Sequence, residues 1–263
     1  MGMEIGCVAT AGTYSIVCDA GFDYAEFSGR DLCALDEGEY AQFRRVLQTG
    51  GLPCYALNAY CPPEIRVAGP GFCINTAREY AKRCLARAVE MKVRVVCVGS
   101  PKSRHLPDAY DRELAVRQAE EFFAATAEVF AEENILVCVE ALGPCYCNFI
   151  NRLHEAHGIV RSVNMKNLKL VVDFYNMEHN AEANISLSPY INDIAHAHIS
   201  DDAGSPQKRS FLKPEKRDMH IGRLKGLYAL GYRGGVTLEI DVPAELAAAS
   251  HSLGILRGAV TLQ

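Results

Sequence analysis

A parallel α/β architecture closed into a (β/α)8 barrel is the fold class this sequence predicts, and three observations predict it. Short apolar runs alternate with helical patterns along the whole chain; the runs lack the polar alternation of a sheet with one wet face; and four of them end on a chemistry-bearing residue. The clearest case is NILVCVEALG, where Ile135, Leu136, Val137, Cys138 and Val139 run unbroken into Glu140 and a glycine break follows. Leu168 to Val172 ends likewise in Asp173, Ile194 to Ala197 leads into His198, and Gly235 to Leu238 ends in Glu239. In parallel α/β folds the carboxyl ends of strands carry the chemistry, so these four residues are expected to converge at one end of one sheet.

The remaining elements follow in order. Glu4 to Ala9 reads as strand one, Gly12 to Asp19 as an imperfect helix, and Phe22 to Phe27 as strand two with Glu26 near its end. Asp36, Glu37 and Glu39 are acids suited to a helix N-terminus, Tyr40 to Gln48 continues that helix, and Gly50-Gly51 stops it. Leu52 to Leu57 is strand three with Asn58 at its tip. Asn75 is placed to cap a helix running to Met91, Val93 to Val98 is strand four, and Asp111 to Glu133 is the longest helix. Phe149 to Val163 reads as helical, Leu187 to Asn192 as a turn or two, and Asp201 to Arg217 as a polar, mobile loop over a site. Met219 to Leu230 is helical, and Pro243 opens a final Ala-rich helix. Eight such units in about 250 residues favour a closed barrel. An open doubly wound sheet is disfavoured because no G-x-G-x-x-G turn follows strand one.

With 263 residues, 49% hydrophobic and 22% charged, the chain has an ordinary globular composition, and one domain spanning 1–263 is expected. A net charge of −5 without a basic run lacks the electrostatic footprint of a nucleic-acid binder. The start, MGMEIGCVAT, does not resemble a signal peptide, and no apolar run approaches the roughly 18 residues of a membrane span, so neither export nor a membrane partner is expected. The 11 cysteines are odd in number and irregularly spaced, which predicts reduced thiols in a cytoplasm. Cys145 and Cys147 read as loop thiols, since no second cluster completes a zinc site.

If Glu140, Asp173 and Glu239 meet, each pair about 4 Å apart would repel by roughly 4 kcal/mol at an effective dielectric of 20. Either the acids hold protons or a cation joins them. His198 adds a nitrogen donor, and three oxygens with one nitrogen suit a divalent ion: manganese, magnesium or cobalt, with zinc compatible. His196, two residues earlier, points to the same side of its strand one layer deeper and reads as structural support. The loop after strand four carries Lys102 and Arg104 and is a candidate contact for a phosphate or a sugar hydroxyl.

The segments VCVEALGP, KLVVDFYNM, IAHAHISD and GGVTLEI, with GFDYAEFSG and YALNAY, resemble the xylose-isomerase-like TIM-barrel superfamily. The likeness is to its sugar isomerase and 3-epimerase branch, related to tagatose and psicose epimerases and hydroxypyruvate isomerase, and it covers nearly the whole chain. It implies one divalent metal, commonly manganese, held by Glu140, Asp173, His198 and Glu239. Glu140 and Glu239 would also be the catalytic pair, one removing a proton next to a ketose carbonyl and the other returning one through an enediolate. The resemblance further implies a substrate contact at Asn176, where the family has His, and at Arg209 or Arg217 for the family arginine; Glu26, Asn58 and Arg104 are further pocket candidates. Tyr146 stands where epimerases have a Glu. The implied partner is a small sugar or hydroxy-carbonyl substrate, and a homo-oligomer is compatible with it. Within the superfamily, a dehydratase of inosose type is the alternative, because the same enediolate can expel a β-hydroxyl. A DNA repair endonuclease would need further ligands and a basic groove, and a catalytically silent sugar-binding subunit is the alternative outside enzymes.

Overall fold

The apolar runs become the staves of a closed parallel barrel in the computed structural model, which describes residues 2–260. Seven staves are β1 (Glu4–Val8), β2 (Tyr24–Ser28), β3 (Cys54–Asn58), β4 (Val95–Val98), β5 (Leu136–Glu140), β6 (Leu168–Asp173) and β7 (Ile194–Ile199). A short antiparallel pair, β8 (Asp201–Asp202) and β9 (Arg209–Ser210), intervenes before the last stave, β10 (Gly235–Leu238), which pairs with both β7 and β1. The helices are α1 (Tyr14–Ala20), α2 (Gly29–Ala34), α3 (Glu37–Gly50), α4 (Ile74–Glu90), α5 (Pro101–Arg104), α6 (Arg112–Ala131), α7 (Leu153–Val163), α8 (Phe174–His179), α9 (Arg217–Ala229) and α10 (Leu246–Val260).

The missing polar alternation in the strands has a direct cause: both faces are dry. Val137, Val139, Leu170, Val172 and Leu238 point outward and pack under the helices, while Ala56, Val95, Cys97, Cys138 and Val171 fill the barrel interior. Lower in the barrel the Tyr24 ring lies over Gly6 and Gly235, and Gly6 above all admits it, since a Cβ there would sit 2.0 Å from the ring. Register then sets the upper rim. Asp173 pairs with His198 and His198 with Thr237, so residues remote in sequence are neighbours at the carboxyl end.

Helix ends follow local chemistry. Asp36 and Glu39 cap α3 reciprocally, and Gly51 leaves it in the left-handed region at φ 78°. Asp111 accepts from the main-chain N–H groups of Glu113 and Leu114 at the start of α6.

Several expectations are corrected. α4 starts at Ile74 with Cys73 as its N-cap residue, so Asn75 lies inside the first turn. α7 starts at Leu153 instead of near Phe149, and α10 starts at Leu246, leaving Pro243 in the segment that lines the barrel mouth. Cys33 on α2 and Cys84 on α4 are joined as a disulfide with Cα atoms 5.8 Å apart, so wholly reduced thiols are not found. The polar stretch 201–217, read as a mobile loop, is folded: β8 and β9 pair across a turn with Gly204 at φ 90°. Among the described residues no helix is long and apolar enough to cross a membrane.

Asp201 anchors this folded segment. Its Oδ2 accepts from Lys213 N at 2.8 Å and His220 Nε2 at 2.9 Å, and Lys216 Nζ lies 2.9 Å from Oδ1. Burial alone would raise its pKa, but the His220 bond, the Lys213 N–H and Lys216 outweigh it and hold the carboxyl at about 2. A depressed carboxylate pKa stabilises the fold above the unfolded value of about 3.9, and the contribution is lost as pH falls through the folded value. Asp201→Asn is therefore expected to lower Tm at pH 7. In melts recorded at decreasing pH, the gap to wild type should narrow between about pH 4 and pH 2; a gap independent of pH would contradict the assignment.

Candidate metal centre and active site

Glu140 at the end of β5, Asp173 at the end of β6, His198 on β7 and Glu239 just past β10 meet at the carboxyl mouth of the barrel. One donor atom from each lies within 4.8 Å of all the others. Glu140, Asp173 and His198 are buried, and Glu239 is partly exposed. Each side chain is aimed by its backbone. Asp173 caps α8, its Oδ1 accepting from Tyr175 N at 2.8 Å and Asn176 N at 3.1 Å, which leaves Oδ2 for the cluster. Gly99 clears room for Glu140, because a Cβ there would lie 2.3 Å from Oε2.

Two observations speak to what the cluster fits. His198 Nδ1 is buried without a hydrogen-bond partner, 3.2 Å from Glu239 Oε2 and 3.5 Å from Glu140 Oε1, and Glu239 Oε2 is paired with the charge of Arg209 Nη1 at 3.0 Å. The donors are three carboxylates and one imidazole nitrogen, a set suited to a hard or borderline divalent cation.

The electrostatics show how strongly the acids interact. Burial first, then the charges of Glu239 and Asp173, push the Glu140 carboxyl up to about 7 against the pull of His198. Asp173 moves the other way, to about 2: burial opposes its charge, but the Arg209 guanidinium outweighs burial. His198 is held well above the usual histidine value because Glu239 and Glu26 overcome the burial that disfavours its charge. Arg209 reaches in from β9, with Nη2 2.6 Å from Asp173 Oδ2 and Nη1 3.0 Å from Glu239 Oε2, and its guanidinium carbon lies 4.8 and 5.7 Å from the ring centroids of Tyr175 and Tyr146. The folded stretch 201–217 thus delivers a cation to the acids.

The other expected residues divide. Asn176 is in the cluster, donating to Asp173 Oδ2 at 2.8 Å and Glu140 Oε1 at 3.3 Å while its Oδ1 accepts from Gly143 N at 3.0 Å. Asn58 donates to Glu239 Oε1 at 3.4 Å and faces the open cavity. Three positions are corrected. Glu26 is fully buried below the mouth, bonded to His196 and His198, and does not line the cavity. Arg104 is also fully buried and donates to the main-chain oxygen of Glu140 at 2.7 Å, supporting the strand end from behind. Arg217 is half exposed at the start of α9 and pairs with Asp218, so of the two arginines only Arg209 is in the cluster. Lys102, beside Arg104, is exposed on the outside of its turn.

Beside Glu239 opens a cavity of about 480 Å³, lined by Thr10, Thr13, Arg30, Asn58 and Asp241 among others. Its polar groups suit a hydroxylated small molecule. Thr10, Thr13 and Asp241 were not singled out from the sequence, since isolated polar residues in loops give no periodic signal. Ser200, which accepts from Arg209 Nη1 at 3.2 Å, was missed for the same reason.

A family model described as xylose isomerase-like TIM barrel matches residues 15–257. Among solved structures, the chain is similar to 3-keto-D-glucoside 4-epimerase from E. coli at 19% identity, covering 97% of this chain and 99% of that one, with a TM-score of 0.74. It is similar to D-psicose 3-epimerase from Clostridium cellulolyticum H10 at 15% identity, covering 98% and 99%, with a TM-score of 0.77. A family 2 AP endonuclease from Brucella melitensis is also similar, at 20% identity over 98% and 100% of the two chains and a TM-score of 0.72. No curated protein sequence matches the chain. At these identities the likeness shows the fold.

Gly99→Ala tests the geometry. The new methyl must displace Glu140, so the affinity for added Mn2+ measured by calorimetry is expected to fall about 10-fold or more, with little change in Tm. Unaltered Mn2+ binding would contradict the placement of Glu140 among the donors.

Proposed function

We propose that this chain, which belongs to the xylose isomerase-like TIM barrel family, is a divalent-metal-dependent epimerase or isomerase of a small ketose or related hydroxy-carbonyl compound. The observation that carries this reading is the convergence of Glu140, Asp173, His198 and Glu239 beside a polar cavity. Those four residues would hold the ion, with manganese the first candidate. A bound divalent cation supplies a fixed positive charge that polarises a carbonyl and offsets the negative charge developing on its oxygen.

The chain's own groups do the rest. Substrate enters from the cavity, so Asn58 and Arg30 are in reach of its hydroxyls. Glu140 and Glu239 serve as the proton-transfer pair, one carboxylate taking the proton from the carbon next to the carbonyl and the other returning one to the enediolate. Their placement supports this, because the two carboxylates meet at one site beside the cavity, and a bound cation would hold the proton-accepting one ionised. Arg209 and Asn176 orient the acids with their N–H donors, Arg209 against Asp173 and Glu239 and Asn176, without carrying charge, against Asp173 and Glu140. Tyr146 lies against Arg209 and contributes no carboxylate, so the substrate preference differs from that of enzymes with an acid there.

The endonuclease resemblance does not lead to the same proposal, since Asp31 and Asp241 line the cavity and Arg30 is the one cation among its described lining residues. Incubating the Mn2+-loaded protein with a ketose panel in D2O is expected to give a stereoisomer or aldose carrying deuterium next to the carbonyl. Glu140→Gln should lower the rate by roughly 10²- to 10⁴-fold. A dehydrated product would reassign the protein to the lyases. Absence of exchange with every ketose, or a Glu140→Gln rate equal to wild type, would point to the binding subunit.

A further inference from the structure

Below the donor cluster lies a second polar layer that the proposed reaction does not use. Glu26 on β2 is fully buried. Its Oε1 accepts from His198 Nε2 at 2.9 Å, and its Oε2 accepts from His196 Nε2 at 2.8 Å and from Thr237 Oγ1 at 2.6 Å. Tyr24 Oη lies 2.9 Å from Thr237 Oγ1 and completes the layer. β2 and β7 are not adjacent, being separated in the wall by β1 and β10, so the Glu26 to His198 bond crosses the barrel interior. Glu26, Cys97, His196 and His198 also bring donor atoms within 4.8 Å of one another. The Glu26 oxygens and both Nε2 atoms are already committed to hydrogen bonds, so this group is a support and not a second ion site.

We propose that Glu26 is a positioning residue that fixes the ring orientation and proton placement of His198, so that Nδ1 is the nitrogen offered to the metal. The inference rests on the metal-centre reading above. An ionised carboxylate only accepts hydrogen bonds, so the His198 nitrogen facing Glu26 must carry its proton. The opposite nitrogen, Nδ1, is then the one that would give up its proton to an ion, and it is the buried atom without a hydrogen-bond partner beside Glu140 and Glu239. His196 and Thr237 hold Glu26 from its other oxygen and stop its carboxylate from rotating. Support of this kind behind a ligating histidine changes metal affinity by 10- to 100-fold when removed. A Gln at this position keeps the volume but replaces one acceptor with an N–H donor, so it cannot accept from His198 and from the His196–Thr237 side together.

The test reads metal affinity, a metal spectrum and the proton itself. Co2+ titration of wild type and Glu26→Gln is expected to show affinity weaker by about 10- to 100-fold in the variant, with an altered Co2+ absorption spectrum. In the Zn2+-loaded wild type with 15N-labelled histidine, long-range 1H–15N correlations should place the His198 proton on Nε2 and the metal on Nδ1. Glu26→Gln binding Co2+ as tightly as wild type with the same spectrum, whatever its Tm, would overturn the positioning role while leaving the metal centre intact. A wild-type chain that takes up neither ion would instead overturn the metal centre and this inference with it. Should Glu26→Gln fail to fold, the wild-type correlations decide alone: a proton on Nδ1 and the metal on Nε2 would refute the proposal.

Discussion

Mutual repulsion among buried carboxylates is the constraint around which this molecule is arranged. Glu140, Asp173 and Glu239 offer oxygens within 4.8 Å of one another at the mouth of a barrel, where pairwise repulsion is on the order of 4 kcal/mol even at an effective dielectric of 20. Most of the polar structure nearby answers that repulsion. Arg209 places its guanidinium against Asp173 and Glu239, Asn176 donates to Asp173 and Glu140, and His198 draws charge from both sides. The fold tolerates the cluster because the strands that carry it are fixed by dry packing on both faces.

The same constraint links the surface to the chemistry. Arg209 sits on a two-residue strand that would have little stability alone. It is held because Asp201, at the other side of the hairpin, is locked to Lys213, Lys216 and His220. An ion network outside the barrel thereby determines which cation reaches the acids inside it.

Much of this was legible in the sequence, and for identifiable reasons. Unbroken apolar runs ending in Glu140, Asp173, His198 and Glu239 announce parallel strands, and in parallel α/β folds the carboxyl end of each strand is the end that carries chemistry. What stayed hidden depends on contacts between distant segments. The stretch DDAGSPQKRS has no apolar alternation, so nothing marked it as a hairpin or distinguished Arg209 from Arg217. Glu26 reads as a pocket acid because it follows an apolar strand, yet its depth is set by which neighbours share its layer, namely His196, His198 and Thr237. Arg104 looks like a solvated loop cation, but the left-handed Ser100 and the turn after it fold the side chain inward against β5. Cys33 and Cys84 lie 51 residues apart in different helices, and no spacing rule joins them.

The most direct measurement is anomalous diffraction from a crystal grown with Mn2+. The account predicts one strong peak at the barrel mouth, roughly 2.0–2.6 Å from an oxygen of each of Glu140, Asp173 and Glu239 and from Nδ1 of His198, with the Arg209 guanidinium still beside the acids or displaced toward the cavity. A fully loaded crystal with its manganese elsewhere, or with none of these four residues touching it, would contradict the account.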